Sequence, residues 1–260
     1  MKFELISDLH LDSIRGSEKE KLGYLEEIFS EPTADTLLIA GDIVDSLARP
    51  TSFVKQFFDL ISERYTRVYA VLGNHDYMDK EVPFEKTVDF VREAFPRIRW
   101  LDNEFIAFED GFLYGAAFWS HINPEISDII EAYMPDYKRI FNSSGEAISS
   151  IDTSLINIEC GAKLIDWVAR HPNEKLTVLT HHAPSYLSSA YSDNVTTAAF
   201  CNHLDRFLED NPNISCWVHG HVHAPVDYFL GLTNVICHPH GYFKSERVKD
   251  QPYRPLLIER

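Results

Sequence analysis

The first 72 residues alternate short apolar runs with amphipathic stretches, and no other feature narrows the fold as much. Residues 3–6, 36–40 and 68–72 are brief, apolar and rich in β-formers, the mark of buried strands. Between them, Leu22, Leu25, Ile28 and Phe29 recur at helical spacing within 17–30. Phe53, Val54, Phe57, Phe58, Leu60 and Ile61 do the same within 51–64, where Thr51 or Ser52 can cap the helix start. Strand, helix, strand, helix, strand predicts βαβ units and a parallel sheet. Right-handed crossovers bring the carboxyl ends of such strands to one edge, where open α/β sheets build their sites.

Further along, residues 84–95 read as a helix. From 97 to 119 the pattern changes to short strands at 99–101, 105–108 and 112–116, with a hairpin at Glu109-Asp110-Gly111. That run predicts a second, partly antiparallel sheet. Residues 120–144 are irregular, with a short helix around 126–133, and a long helix follows over 147–171. Strands at 176–180 and 215–218 flank a helix over 198–209. Short strands at 226–230, 234–237 and 256–258 complete the chain. No linker, repeat or low-complexity tract divides the 260 residues, so one α/β domain over 1–260 is expected.

Five strand ends carry polar clusters: Asp8 and His10, Asp42 and Asp45, Asn74, His75 and Asp76, His181 and His182, and His219, His221 and His223. Taken singly, each is ordinary turn chemistry; Gly73, for one, reads as a turn-maker ahead of its cluster. Gathered on one edge, they form a set of imidazoles and carboxylates without sulfur, suited to zinc, manganese or iron. Holding two ions close together takes a bridging carboxylate, and Asp42 is placed for it.

Composition excludes other classes. With 24 Lys and Arg against 40 Asp and Glu, the formal charge is −16. Such a chain repels polyanions at long range and lacks the basic surface of an extended nucleic-acid groove. Bound cations can reverse that sign locally, so a small phosphorylated substrate stays open. Cys160, Cys201, Cys216 and Cys237 form no CxxC pair and read as reduced, mostly buried thiols. No signal-peptide run opens the chain and no stretch reaches membrane-span length. A cytoplasmic protein without membrane contact is expected, and its oligomeric state is left open.

The ordered blocks Asp8-x-His10, Gly41-Asp42-x-x-Asp45, Gly73-Asn74-His75-Asp76, His181 and Gly220-His221-x-His223 resemble the calcineurin-like metallophosphoesterase superfamily over residues 3 to about 225. The resemblance implies a four-layer α/β/β/α sandwich with two mixed β-sheets and a dinuclear metal site of manganese, iron or zinc. One ion would be held by Asp8, His10, Asp42 and His223, the other by Asp42, Asn74, His181 and His221. His75 would bind phosphate or act as general acid, oriented by Asp45 or Asp76. His182 and His219 would then stand behind the ligands or face the substrate, with Asn74 and Arg139 as further substrate contacts. Trp119, His121, Tyr137, Arg139, Tyr242 and Lys244 are candidates for the pocket rim.

The implied reaction is hydrolysis of a small phosphodiester or phosphomonoester, such as a nucleotide, by a metal-bridging hydroxide. Protein phosphatases of the superfamily place Arg-Gly after the second Asp and Glu after Asn-His. Here Ser46-Leu47 and Asp76 stand instead, which argues against that branch. A manganese-dependent nuclease is the alternative, and a non-catalytic binding scaffold of the same fold is a third reading. The opening Ser7-Asp8-Leu9-His10-Leu11 also resembles lipid A precursor hydrolases, but no basic amphipathic helix offers itself for docking on a membrane.

Overall fold

The computed structural model describes residues 2–189, 194–243 and 252–259. β1 (Lys2–Ile6), β2 (Thr36–Ala40), β3 (Arg67–Val71) and β4 (Arg99–Trp100) run parallel in a first sheet. The second sheet contains β5 (Glu104–Phe108), β6 (Gly111–Ala116), β7 (Leu176–Thr180), β8 (Ile214–His219), β9 (Val226–Leu230) and β10 (Thr233–Cys237). Its order is β5-β6-β7-β8-β10-β9, parallel through the middle and antiparallel at both edges. β11 (Leu256–Glu259) returns to the first sheet antiparallel to β1, with Phe3 opposite Ile258. Both sheets are therefore mixed.

Alternation along the strands sorts side chains into layers. Phe3, Leu5, Leu38, Ala40 and Val71 of the first sheet meet Leu113, Leu179, Cys216, Val218 and Ile236 of the second in a core between the sheets. On the outer face of the first sheet, Leu37, Ile39, Val68 and Ala70 pack with Leu25 and Ile28 of α1 (Glu18–Ile28) and Val54, Phe57 and Ile61 of α2 (Ser52–Arg64). Thr51 caps α2 by accepting the Val54 N–H. α3 (Thr87–Ala94) adds Val91 to the same layer. α4 (Ser127–Tyr133) and α5 (Asp136–Arg139) lie in the long connection to the outer helix α6 (Ser150–Arg170). Outside the second sheet, Leu176, Val178, Ile214 and Trp217 pack with Cys160, Leu164 and Val168 of α6 and Leu208 of α7 (Asp205–Asp210). The order of layers is helices, sheet, sheet, helices, the α/β/β/α sandwich.

Two elements differ from the sequence reading. Residues 99 and 100 belong to the first sheet, because Trp100 packs against Phe58 and Phe95 beneath the α2–α3 layer. The expected helix over 198–209 is broken into a 3-10 turn at Val195–Ala199 and α7. Between them the backbone serves the loop after β7: Ala183 donates to Phe200, Asn202 to Ala183, and Leu204 to Pro184. A continuous helix would take those groups for itself.

Glu4 points outward from β1 and is only 2% exposed. It accepts from the Thr33 N–H at 2.8 Å, from the Thr33 hydroxyl at 2.6 Å and from the Tyr65 hydroxyl. Tyr65→Phe should leave one buried carboxylate oxygen short of a donor and lower stability by about 1–3 kcal/mol. Urea denaturation would check this, and an unchanged midpoint would show that Tyr65 contributes packing alone.

Candidate metal centre

The loops that follow β1, β2, β3, β7 and β8 meet at one edge of the paired sheets. They are stitched together through main chain: Asp8 N–H donates to the Gly41 carbonyl at 3.0 Å, His10 N–H to Asp42 at 3.1 Å, and Gly220 N–H to His181 at 3.0 Å. The fit is too close for side chains at two points. A Cβ on Gly73 would lie 2.2 Å from Asp42 Oδ1, and one on Gly220 would lie 2.6 Å from the Ala40 carbonyl oxygen. Gly73 therefore permits close approach of two loops, where the sequence suggested a turn-maker. Strain accompanies the crowding. Asp8, His10, Asp42, His221 and His223 all have φ between 42° and 69°, the left-handed region. Asp and His tolerate it better than most residues, and such outliers cluster at functional sites.

The strain aims side chains at two adjoining points. Asp8, His10, Asp42 and His223 can each offer a ligand atom to one, and Asp42, His181 and His221 to the other. Asp42 divides its carboxylate between them. Oδ2 lies 3.7 Å from His10 Nε2, and Oδ1 lies 3.4 Å from His181 Nε2. Asn74 joins the second group with Oδ1 at 3.0 Å from His181 Nε2.

Hydrogen bonding shows what these groups are suited to hold. His181 Nδ1 donates to the Ala40 carbonyl at 2.8 Å, so Nε2 is the nitrogen that carries the lone pair whenever the ring gives up its second proton. That lone pair faces the oxygens of Asn74 and Asp42, so three acceptors converge on one point. Such an arrangement calls for positive charge. Burial opposes a proton on His181, yet the Asp42 charge overrides it and lifts its pKa to about 9. Burial instead pushes His10 down to about 3 and His221 well below the ordinary histidine value, so both are neutral imidazoles. Among the described residues, Asp8 Oδ2 and His221 Nε2 are buried with no hydrogen-bond partner. Oxygen and imidazole donors of this kind fit divalent transition ions.

His75 stands beside these groups at the mouth. Its backbone N–H donates to Asp42 Oδ1 at 2.9 Å, and its Nδ1 lies 2.6 Å from Asp45 Oδ1. Arg139 donates to the other oxygen of Asp45 at 2.6 Å. The Tyr242 ring stacks on His10 at 4.2 Å, and its hydroxyl lies 3.3 Å from His75 Nε2. A cavity of about 410 Å³ opens over Asp42, Asn74, His75, His221, His223 and Tyr242. Met134, Pro135, Phe200 and Val222 give it an apolar wall.

The sequence model of the calcineurin-like phosphoesterase family matches residues 1–225. This chain belongs to that family. Family membership and the two ligand clusters together assign it to metal-dependent phosphoester hydrolysis. A relative, an uncharacterized protein of Acanthamoeba polyphaga mimivirus, is 28% identical over 277 residues, covering 98% of this chain and 95% of its own. The crystal structure of phosphopantetheinyl hydrolase from Mycobacterium tuberculosis matches with a TM-score of 0.66 at 17% identity, over 98% of this chain and 95% of that one. A protein of Thermus thermophilus gives a TM-score of 0.54 at 13% identity, over 92% and 88%. These two structural likenesses are of fold.

Within this phosphoesterase several side chains lie elsewhere than expected. Asp76 does not touch His75. It is fully buried and accepts four backbone N–H groups, from Gly73, Asp42, Ile43 and Val44, at 2.8–3.2 Å. His182 and His219, considered as substrate contacts, are buried away from the cavity. His182 lies between Trp119 and His221, with ring centroids 4.9 and 4.3 Å away, and burial pushes its pKa down to about 3. His219 is held by the Ser188 hydroxyl at 2.9 Å and the Gly220 carbonyl at 2.8 Å, with its pKa pushed down to about 4 by burial. Among the described rim candidates only Tyr242 lines the cavity. Trp119 is buried, Tyr137 packs into the core with its hydroxyl on Thr153, and His121 is exposed away from the mouth. Arg139 is turned to Asp45, and Lys244 lies outside the described residues.

Two contributors are absent from the sequence reading. Asp136 takes the Asn74 side-chain N–H at 2.6 Å and so turns the Asn74 oxygen toward His181. Phe200 stacks on His221 at 4.6 Å. The Pro135-Asp136 pair at a helix start is the one available signal for the first, and nothing local marks the second.

Asp76→Asn keeps the volume but replaces one acceptor oxygen with a donor among N–H groups. It should lower stability by about 2–4 kcal/mol and weaken metal retention, because the Asp42 turn loses its anchor. Calorimetry together with metal analysis would check both, and full metal content at wild-type stability would show the anchor to be dispensable.

Proposed function

We propose that the chain hydrolyses a small phosphodiester or phosphomonoester with two divalent or transition metal ions, manganese, iron or zinc, held side by side. The observation that carries this reading is the divided carboxylate of Asp42, with imidazoles gathered on each of its oxygens, at the floor of a cavity that also presents His75. Asp8, His10, Asp42 and His223 would hold one ion, and Asp42, Asn74, His181 and His221 the other. When bound, the pair would supply Lewis acidity toward the phosphoryl oxygens and make water a nucleophile at neutral pH.

The protein's own groups do the rest. Asp45 holds His75 Nδ1, which turns Nε2 to the cavity, and Arg139 fixes Asp45 from behind. From there Nε2 can bind a phosphoryl oxygen or give its proton to the leaving alkoxide. Burial disfavours the protonated ring, but the Asp42 charge and the Asp45 bond outweigh it and raise its pKa to about 9. Asp136 keeps the Asn74 oxygen aimed inward. The wall of Met134, Pro135, Phe200 and Val222 suits an uncharged organic group on the ester, and a cavity of about 410 Å³ has room for a small substrate. Among the described residues no helix is long and apolar enough to cross a membrane.

A manganese-supplemented screen of p-nitrophenyl phosphate, its bis-ester, nucleotide monoesters, linear diesters and cyclic nucleotides should find turnover that chelation abolishes. Asp42→Ala should lose bound metal and activity together. His75→Ala should keep the metal and lose about 10²- to 10⁴-fold in kcat. The proton on His75 is present below its pKa and lost above it, so wild-type kcat should fall on the alkaline side. A cation on Asp42 offsets part of the pull on that proton, which places the limb below the raised value. His75→Ala should erase the limb. Metal-loaded protein that turns over none of these esters would sink the enzymatic reading, and preferential cleavage of single-stranded DNA would replace it with the nuclease.

A further inference from the structure

α6 is apolar on two sides, and the described residues of its own chain cover only one. Cys160, Leu164 and Val168 are buried against the second sheet. On the opposite side, Ile151, Leu155, Ile158, Ala162, Ile165 and Ala169 are all exposed. The four large ones are exposed by 65%, 59%, 54% and 53% in chain order. A helix that is apolar all round is ordinarily buried all round. The spacing of the six is four, three, four, three, four, which is the alternation of the two seam positions in a heptad repeat. Scattered exposed apolar residues need no explanation, but an unbroken seam nineteen residues long does.

We infer that this face is the contact surface of a homodimer, with α6 packed antiparallel on α6 of a second copy. Two observations choose the occupant. A heptad seam is self-complementary: its knobs fit the holes of an identical seam, and a two-fold axis pairs a patch with itself. Ala162 and Ala169 give the close approach that large Ile and Leu side chains on the partner need. The second observation is charge. Along one flank of the seam, Asp152 and Glu159 lie in the N-terminal half, and Lys163 and Arg170 in the C-terminal half. All four also have contacts within their own chain. Asp152 accepts from the Ser149 N–H and hydroxyl, and Glu159 from the Asn103 amide at 3.5 Å. Lys163 donates to the Asn103 carbonyl, and Arg170 pairs with Asp166, so the charges on this flank would be shared with a partner rather than newly engaged by it. An antiparallel two-fold sets this flank against its own reversed copy, so Glu159 meets Lys163 of the partner subunit and Asp152 meets Arg170 of the partner subunit. A parallel pair sets it against the opposite flank, where Ser154 and Val168 are buried and no charge answers.

The contact is modest. The seam is about 27 Å long and one helix wide. The neighbouring helix α4, joined to the start of α6 through the Ser127 and Ser150 hydroxyls, adds Ile129 and Tyr133, exposed by 43% and 73%. That is the low end of stable interfaces, so dissociation in the range of about 1–10 μM is expected. No residue of α6 lines the active-site cavity, so dimerisation and catalysis are separable.

Sedimentation velocity on the full chain, from about 1 to about 100 μM, reads the equilibrium directly. Wild type should pass from monomer to dimer across that range. Ile158→Asp, at an exposed position, should stay monomeric throughout, with unchanged circular dichroism and turnover. Lys163→Glu should weaken the dimer at least about fivefold, and adding Glu159→Lys should restore it. For direction, Ile151→Cys combined with Ala169→Cys should cross-link two subunits under diamide, while Ile151→Cys alone should not. Wild type that remains monomeric at the top concentration, or an Ile158→Asp variant that still dimerises, would overturn the surface. Cross-linking by Ile151→Cys alone would overturn the antiparallel arrangement.

Discussion

The carboxylate of Asp76 is the joint on which the rest of the centre depends. Three main-chain turns must lie within van der Waals distance of one another, and two of them are tied by this one side chain. It accepts the N–H groups of Asp42, Ile43 and Val44 from the turn after β2, and that of Gly73 from the turn after β3. Hydrogen bonds to a charged acceptor each contribute on the order of 1.5–3 kcal/mol, and four on one buried carboxylate act as a unit. The tie explains why Gly73 can have no side chain and why Asp42 can hold a left-handed backbone. With Asp42 fixed in position and direction, its two oxygens face different imidazoles.

The acidity of the chain takes a different meaning from the structure. Asp8, Asp42, Asp76 and Asp136 are all buried, a concentration of negative charge that burial alone would discharge by protonation. Two of them answer fully to something specific: Asp76 to backbone N–H groups and Asp42 to histidines. Asp8 and Asp136 answer halfway, with one oxygen on the His221 N–H and on the Asn74 amide respectively, and among the described residues the Oδ2 of each has no hydrogen-bond partner. A site arranged in this way is poised for cations, and its charge serves ligands held inside the fold more than partners outside it.

Much of this is legible in the residues, and the failures have a common cause. The βαβ order, the outer helices and the five clustered strand ends follow from local patterns with a fixed period, which is why they can be read. Thr51 as the cap of α2 is of the same kind. Asp76 misleads because its sequence neighbour, His75, is the obvious partner, whereas its true partners are backbone N–H groups, three of the four of them about thirty residues earlier. His182 is turned away beside the inward-facing His181, and His219, the last residue of β8, is held by Ser188 and the Gly220 carbonyl, while the left-handed backbone at His221 redirects that later side chain. The break in the 198–209 helix cannot be seen locally, since the loop that competes for its hydrogen bonds follows another strand. β4 falls in the other sheet from the one its neighbours suggest because two residues carry no register, and only the packing of Trp100 decides it.

The pairing of β11 with β1 has a consequence for how the molecule is made. Phe3 lies opposite Ile258, so the outer edge of β1 is covered by a strand far along the sequence. The ligand groups are spread in the same way, with Asp8 waiting for His221 and His223. During synthesis, β1 is made before β8 and β11, with one edge bare and its strained turn unsupported until those strands follow. Pairings this distant in sequence form slowly. The interval leaves an apolar strand edge open to the wrong partner. The completed centre is thus a late event in the life of each copy, and a shortage of chaperones should harm activity before it harms the amount of protein made.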